Sequence, residues 1–489
     1  MTKSPSTIWM NVTTSANWHR PPVGIVRVER SLCNELVKLY GSRFKQCIWQ
    51  GDRFVEWIPP IEKHDPETDG RAEMSVFPTQ DEKPVQPPIY PILPKRQALV
   101  ALGQSLLSLT PRTLQPYFNR LLYVVRPRLA QLIASDRMKR LLLKLRRQVI
   151  ALPGIKRELA GVKPYDLDVG AIFESGDTLI SVGLDWDHPY YKHFYTLRTR
   201  RNLKIVTCCY DLIPVIYPQY CVNDVAGIFS SYFLEIADGS DLVLCISKQS
   251  EKDLLEMLNR TGGATPRTHV FPLGDNVPSN NHAEISPAVR TICKEPFILF
   301  VSTIERRKNH EVLYRAYHLL CAEGKRDKLP KLLFVGMQGW GVGDMLKDIE
   351  LDPLTRDLIV RLNHVTDAEL GALYEAAKFC VFPSLYEGWG LPVGEALALG
   401  KPILTSDRGS LPEVGGNLAH YVDPWAPRAW ADEIYKMTTD DAWRTEWEQK
   451  IKSQYKTRTW TEAAASIQAA ITATQDIANY SSTATQTHP

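Results

Sequence analysis

Beyond residue 168, short apolar runs alternate with longer amphipathic stretches over most of the chain. The runs read DVGAIFES (168–175), TLISVG (178–183), LKIVTCCYDLIPV (203–215), LVLCIS (242–247) and HVFPLG (269–274). They continue with FILFVST (297–303), KLLFVG (331–336), DLIVRL (357–362), FCVFPS (379–384) and KPILTS (401–406). Near-continuous apolar runs of this length predict strands buried between two layers. KQSEKDLLEML (248–258), NHEVLYRAYHLL (309–320), DAELGALYEAA (367–377) and VGEALALG (393–400) space their apolar residues at helical period instead. Ser247 is a natural N-cap for the first of them. Strands and helices in alternation predict parallel sheets with helices on both faces. The pattern pauses at DNVPSNNHAEISP (275–287) and then restarts, so the fold class is α/β with two such domains.

The first 58 residues begin in the same way. TIWMNV (7–12) predicts a strand, and VGIVRVERSLCNELVKLYG (23–41) predicts a helix with Val28, Leu32, Leu36, Val37 and Leu39 on its apolar positions and Gly41 as its stop. Gly24 opens that helix, and two readings stand: backbone N–H groups placed to meet a diphosphate, or an ordinary strand–helix turn. PPIEKHDPETDG (59–70) and PVQPPIYPILPK (84–95) are proline-dense and predict extended loop. Residues 97–157 then carry Arg126, Arg128, Arg137, Lys139, Arg140, Arg146 and Arg147 among other cations, against the single acid Asp136. Leucines and valines interleave with them, which predicts a pair of basic amphipathic helices. Such helices either adsorb to an anionic membrane face or pack on their own domain with a solvated basic face.

The expected organisation is an N-terminal domain over 1–285 with an insertion at about 59–160, and a C-terminal domain over 286–455. A helix over 456–480 crosses back to the first domain, and a polar tail over 481–489 frays.

Composition narrows the classes. The 489 residues are 44% hydrophobic and 23% charged, with a formal charge of +3, too small to imply nucleic acid as a partner. The first twenty residues lack the apolar core of a secretory signal, and no apolar run approaches the ~20 residues of a membrane span. Nine scattered cysteines without a C-x-x-C pair read as reduced thiols, which places the chain in the cytoplasm. The eleven histidines show no metal spacing, and no metal site is expected.

The chemistry concentrates in YEGWGLPVGEA (386–396). Glu387 leaves the carboxyl end of a buried strand, where such sheets bind ligands. Gly388 and Gly390 allow close approach to a ligand. Pro392 suits a first helical turn, and the N–H groups near Gly390, Leu391, Val393 and Gly394 form a phosphate-binding helix start. Glu395 follows one turn later. Two carboxylates beside a phosphate site suit sugar hydroxyls, which donate hydrogen bonds to them. STIERRKNHEVL (302–313) opens another helix after a strand and carries Arg306, Arg307 and Lys308, which either neutralise a diphosphate or stand as solvated charges at a helix start. FVGMQGWGVGDML (334–346) lacks the final glycine of a dinucleotide fingerprint and reads as a loop beside the cleft.

Taken together, FPSLYEGWGLPVGEALALGKPILTSDRGSLPEV (382–414), the STIERRKN stretch and the Glu387–Glu395 pair with seven residues between resemble the family-four, group 1 retaining glycosyltransferases. Their GT-B fold has two Rossmann-like domains facing across a cleft. CYDLIPVIYPQY (209–220) and GDTLISVGLDWD (176–187) resemble the N-terminal domain of bacterial polysaccharide mannosyltransferases. The resemblance covers roughly residues 165–470, together with the GIVRVERSL stretch.

It implies a hexosyltransferase using a GDP- or UDP-linked sugar and no metal, with a glycan or lipid-linked acceptor. The membrane reading of the basic segment 97–157 would add a peripheral place on the inner face of the cytoplasmic membrane. Glu387 would lie by the transferred sugar, Glu395 on the ribose, and Arg307 and Lys308 on the diphosphate. Gly388, Gly390, Leu391 and Thr303 would line the donor, and backbone near His364 and Val365 would meet the base. Gly24, Tyr210 and Asp211 would face the acceptor side. Tyr210 departs from the histidine of many relatives, and Ser302 from an arginine of some. The competing expectations are another enzyme of the same fold, an epimerase or phosphorylase, and a non-catalytic scaffold.

Overall fold

The protein is described by a computed structural model covering residues 6–18, 24–59, 73–75, 169–222, 225–275 and 285–484. The basic segment 97–157 and the helices expected there lie outside the described residues. The strands are β1 (Ile8–Asn11), β2 (Phe44–Gln50), β3 (Arg53–Trp57), β4 (Glu73–Ser75), β5 (Thr178–Ser181), β6 (Lys204–Cys209) and β7 (Leu242–Cys245). They continue as β8 (Thr268–Val270), β9 (Phe297–Val301), β10 (Lys331–Val335), β11 (Ile359–Asn363), β12 (Phe379–Phe382), β13 (Ile403–Thr405) and β14 (His420–Tyr421).

Two sheets form, with strand orders β3-β2-β1-β5-β6-β7-β8 and β14-β13-β12-β9-β10-β11-β4. Every neighbouring pair is parallel except the β2–β3 hairpin and the β4–β11 pair. The fold is therefore α/β with two parallel-sheet lobes. In the N-lobe sheet the pleat divides each strand between two cores. Ile8, Met10, Val206, Cys208, Leu242 and Leu244 face one apolar cluster, which runs on into the C-lobe. Trp9, Leu179, Ile205, Cys209, Val243 and Cys245 face the other.

Two segments differ from the sequence expectation. DVGAIFES is not a strand: Val169–Phe173 forms turns that drop Val169 and Phe173 into the outer core. Asp177 holds that turn by accepting from the N–H groups of Thr7 and Glu174 at 2.8 and 2.9 Å, and from Trp9 Nε1 at 3.0 Å. Glu73–Ser75 falls between the two proline-dense stretches, within the first domain's expected insertion, yet it pairs antiparallel with β11 of the second sheet. An extended segment can add to any open sheet edge, and β11 offers one.

Helix ends follow their sequence signals. Ser247 accepts from Ser250 N at 2.9 Å, and Thr366 forms a capping box with Glu369. The C-terminal helix Trp460–Ala484 packs on the helix Gly24–Tyr40, where Thr461 Oγ1 donates to Glu35 Oε2 at 2.8 Å. Trp460 lies flat on Gly274, where any β-carbon would sit 2.8 Å from the indole.

The Gly24–Tyr40 helix also buries an acid. Glu29 is 1% exposed, and its Oε1 accepts from Ser15 N at 2.7 Å. Burial pushes its pKa from the usual 4.5 up to about 7, and Asp185 nearby adds to the rise. Burial likewise lifts Asp185 to about 6, against hydrogen bonds from Tyr190 and Ser181. A folded-state pKa above the unfolded one means the folded protein holds the proton more tightly. The associated stability is present below pH 4.5 and is lost as pH rises through about 7. Its ceiling is roughly 3 kcal/mol for Glu29. Melting curves of wild type and Glu29→Gln, taken from about pH 5 to about pH 8, should diverge in favour of the variant as pH rises. A difference that does not change with pH would remove Glu29 as the source.

Candidate active site

β12 ends at Phe382, and the chain loops through Pro383–Gly390 into the helix Leu391–Ala398. Gly390 takes φ +108° against Leu411, a conformation that only glycine adopts readily, and Pro392 follows in the first turn. After β9 the chain makes a tight turn at Arg306–Lys308. Asn309 closes it in the left-handed region, donating to the Pro383 and Pro424 carbonyls at 3.2 and 2.8 Å. These two strand ends are neighbours in the sheet, which brings their charges together.

Glu387, 6% exposed, pairs through Oε1 with Lys308 Nζ at 2.5 Å and through Oε2 with Arg307 Nη1 at 2.8 Å. Arg307 also holds Glu305 at 2.8 Å and donates to the Tyr386 carbonyl. Burial opposes the Glu387 charge, but Arg307 and Lys308 outweigh it and hold its pKa at about 2. Burial also opposes the Arg307 charge, yet Glu387, Glu305 and Asp211 raise its pKa. For Lys308 burial prevails, with Arg307 adding to it, and the pKa falls. The result is a compact, desolvated charge cluster at the mouth of a helix start.

Asp211 enters from the opposite lobe, at the end of β6. Its Oδ1 accepts from Ile213 N at 3.0 Å, burial raises its pKa, and Arg307 opposes that rise. Tyr210 differs from the expectation of an acceptor-facing side chain. It is 5% exposed and turns its phenol inward to donate to the Val182 carbonyl, which is where a side chain on the inner pleat of β6 must go. Its backbone carbonyl is what reaches the cleft, where Ser250 Oγ donates to it at 2.7 Å and to the Gly388 carbonyl at 3.3 Å.

Glu395 lies one turn into the Leu391–Ala398 helix, 2% exposed. Its oxygens hold Arg27 Nη1 at 2.6 Å and Tyr374 Oη at 2.8 Å. Gly24 opens its helix at φ +52° with open space where a β-carbon would be. Thr303 is exposed at the end of β9 beside Gly339. His364 takes a positive φ of 56°, followed by partly buried Val365 and Thr366; Leu391 is also partly buried. The glycine-bearing loop after β10 closes on Ile304 and sends Trp340 Nε1 to the Tyr220 carbonyl at 2.9 Å.

Sequence reasoning passed over the groups that join the lobes. Tyr386 Oη donates to Asp253 Oδ2 at 2.7 Å. The Glu413 carboxylate accepts from the backbone N–H groups of Lys248 and Gln249, each at 2.8 Å, at the start of the N-lobe helix Lys248–Thr261. Asp275 pairs with Arg458 at 3.0 Å where the linker meets the returning chain. Arg27 alone had a local signal, one turn after Gly24; the rest pair residues far apart in sequence. Among the described residues no group of three or more His, Cys, Asp or Glu is placed to hold a metal, and no helix is long and apolar enough to cross a membrane.

Comparison with known proteins gives the family. Residues 282–454 match the family described as glycosyl transferases group 1. O-antigen chain mannosyltransferase B of Escherichia coli is 31% identical over 261 residues, covering 53% of this chain and 67% of that protein. Serotype-specific mannosyltransferase WbdA of Escherichia coli is 29% identical over 265 residues, and this chain spans only 32% of it. The solved sucrose-phosphate synthase of Thermosynechococcus elongatus covers 97% of the chain with a TM-score of 0.54 at 18% identity, which supports the two-lobed fold. Members of the group 1 family take nucleotide-sugar donors and glycan acceptors. Because this chain covers two thirds of a relative that is 31% identical to it, the chain belongs to the group 1 glycosyltransferases and is an enzyme of the GT-B fold.

Proposed function

We propose that the protein transfers a hexose, with mannose favoured, from a GDP- or UDP-linked donor to a glycan or lipid-linked saccharide in surface polysaccharide biosynthesis, retaining the anomeric configuration. The observation that carries this reading is the buried Glu387–Arg307–Lys308 cluster at the start of the Leu391–Ala398 helix, with Asp211 brought up from the other lobe. Arg307, Lys308 and the helix start stabilise the charge on the departing diphosphate. Glu387 orients the hexose hydroxyls, and Glu395 takes the ribose. Gly388, Gly390, Leu391 and Thr303 line the donor, Val365 offers its backbone to the base, and Gly24 and Asp211 lie toward the acceptor.

In the transfer step the bond from the anomeric carbon to the phosphate oxygen breaks and an acceptor hydroxyl oxygen bonds to that carbon from the same face. The hydroxyl proton passes to a phosphate oxygen of the leaving diphosphate. The basic composition of 97–157 supports a peripheral contact with the anionic inner face of the cytoplasmic membrane, where a lipid-linked acceptor would be found.

Thermal shifts with GDP, UDP, dTDP, ADP and CMP test the donor reading. One diphosphate should raise the melting temperature of wild type, and the rise should shrink in Glu395→Ala. No shift with any nucleotide would overturn it.

A further inference from the structure

Arg27 sits in the first turn of the helix Gly24–Tyr40 and reaches across the cleft to Glu395 Oε1 at 2.6 Å. Both ends of the pair are withdrawn from water, with side-chain exposures of 11% and 3%. Tyr374 Oη, from the C-lobe itself, donates to the other oxygen at 2.8 Å. A carboxylate offers about four lone-pair sites, so these two contacts leave room for a diol. Asp367 opens the helix that carries Tyr374 and also feels Arg27: burial raises its pKa and the Arg27 charge opposes the rise. Two acids of the C-lobe thus feel one cation of the N-lobe.

We propose that Arg27 is a positioning residue that completes the donor ribose site from the opposite lobe, so that engaging the ribose and closing the cleft become one event. The inference rests on Glu395 being the ribose ligand. A carboxylate buried to 2% exposure needs a counter-charge. The C-lobe supplies Glu395 with a phenol, and the cation comes from across the cleft only when the lobes meet. A ligand that uses Glu395 therefore favours the closed arrangement through its differential affinity for it. The planar guanidinium can serve Glu395 and Asp367 together, which a lysine ammonium does less well.

The test titrates GDP and UDP, and their 2′,3′-dideoxy counterparts, into full-length wild type, Arg27→Gln, Arg27→Lys and Glu395→Gln. For the nucleotide that binds, Arg27→Gln should weaken affinity by about tenfold or more. Arg27→Lys should recover part of that loss and carries the test if the glutamine variant does not fold. In turnover assays the donor KM should rise while kcat changes less. The dideoxy nucleotide should bind wild type and Arg27→Gln alike, because Arg27 acts through the ribose hydroxyls. Equal losses with and without those hydroxyls, or tighter binding once Arg27 is removed, would overturn the inference. Loss in Glu395→Gln without loss in either Arg27 variant overturns it alone and leaves the ribose reading standing. Indifference of Glu395→Gln to the ribose hydroxyls, or failure of both nucleotides to bind, removes the donor reading and this inference with it.

Discussion

Glu387→Gln is expected to lower turnover by about a hundredfold or more while leaving nucleoside diphosphate binding in place, the scale typical of losing one charged group aimed at a transition state. The substitution keeps the volume and one carbonyl acceptor, so the loop can hold its shape. It removes the charge that Arg307 and Lys308 both hold, at 2.8 and 2.5 Å. Freed of that partner the two cations can turn fully to the diphosphate, so nucleotide affinity should hold or rise while the hexose loses its anchor. Leaving buried cations unpaired costs up to about 3–5 kcal/mol of stability. The cost is softened at Lys308, whose pKa is already lowered by burial and would fall further without Glu387. Glu387 itself, held at about 2, contributes stability above the usual carboxylate pKa of 4.5 and loses it only as pH falls toward 2. A turnover change near neutral pH therefore belongs to another group. Initial rates together with calorimetric nucleotide titration decide the matter, and wild-type turnover in the variant would end the assignment.

The C-lobe site was readable because its parts are local. FCVFPS is a strand, Glu387 through Pro392 is one loop and one helical turn, and STIERRKN is another strand–helix turn. The adjacency of β12 and β9 in the sheet then places Glu387 against Arg307 and Lys308. The pattern did not carry the β2–β3 hairpin: FKQCIWQ and RFVEW mix polar and apolar residues because they lie at the sheet edge, where one strand is half solvated. It also mistook DVGAIFES for a strand, since apolar content alone does not separate an extended run from a turn whose side chains plug a core. Side-chain direction was equally out of reach. Tyr210 is polar-tipped and sits at a strand's carboxyl end, yet its phenol finds the Val182 carbonyl inside. Cross-lobe partners are the hardest case. Arg27 and Glu395, or Glu413 and the N–H groups of Lys248 and Gln249, meet only after both sheets have formed and docked.

The docking itself yields the second large effect, at Gly388. A β-carbon there would overlap the Tyr210 carbonyl oxygen and approach the Asp211 β-carbon to 2.8 Å, both in the opposite lobe. Gly388 does not take a positive φ, so alanine suits its backbone, and the whole cost arises between the lobes. The obstacle includes backbone, which cannot swing aside as a flexible side chain would. Gly388→Ala should therefore fold with a C-lobe able to bind nucleotide while Asp211 is kept from Glu387 and the diphosphate cations. Misplacing reacting groups by about 1 Å costs on the order of a hundredfold in rate, and turnover should fall at least that far. Nucleotide affinity should drop by about as much as in Arg27→Gln, because the same closure brings Arg27 to Glu395. Small-angle scattering with saturating donor separates this from a local defect: wild type should compact and Gly388→Ala should not. An unchanged kcat in Gly388→Ala would mean that transfer does not need Tyr210–Asp211 and the Glu387 loop in contact, and that the cleft works more open than it stands here.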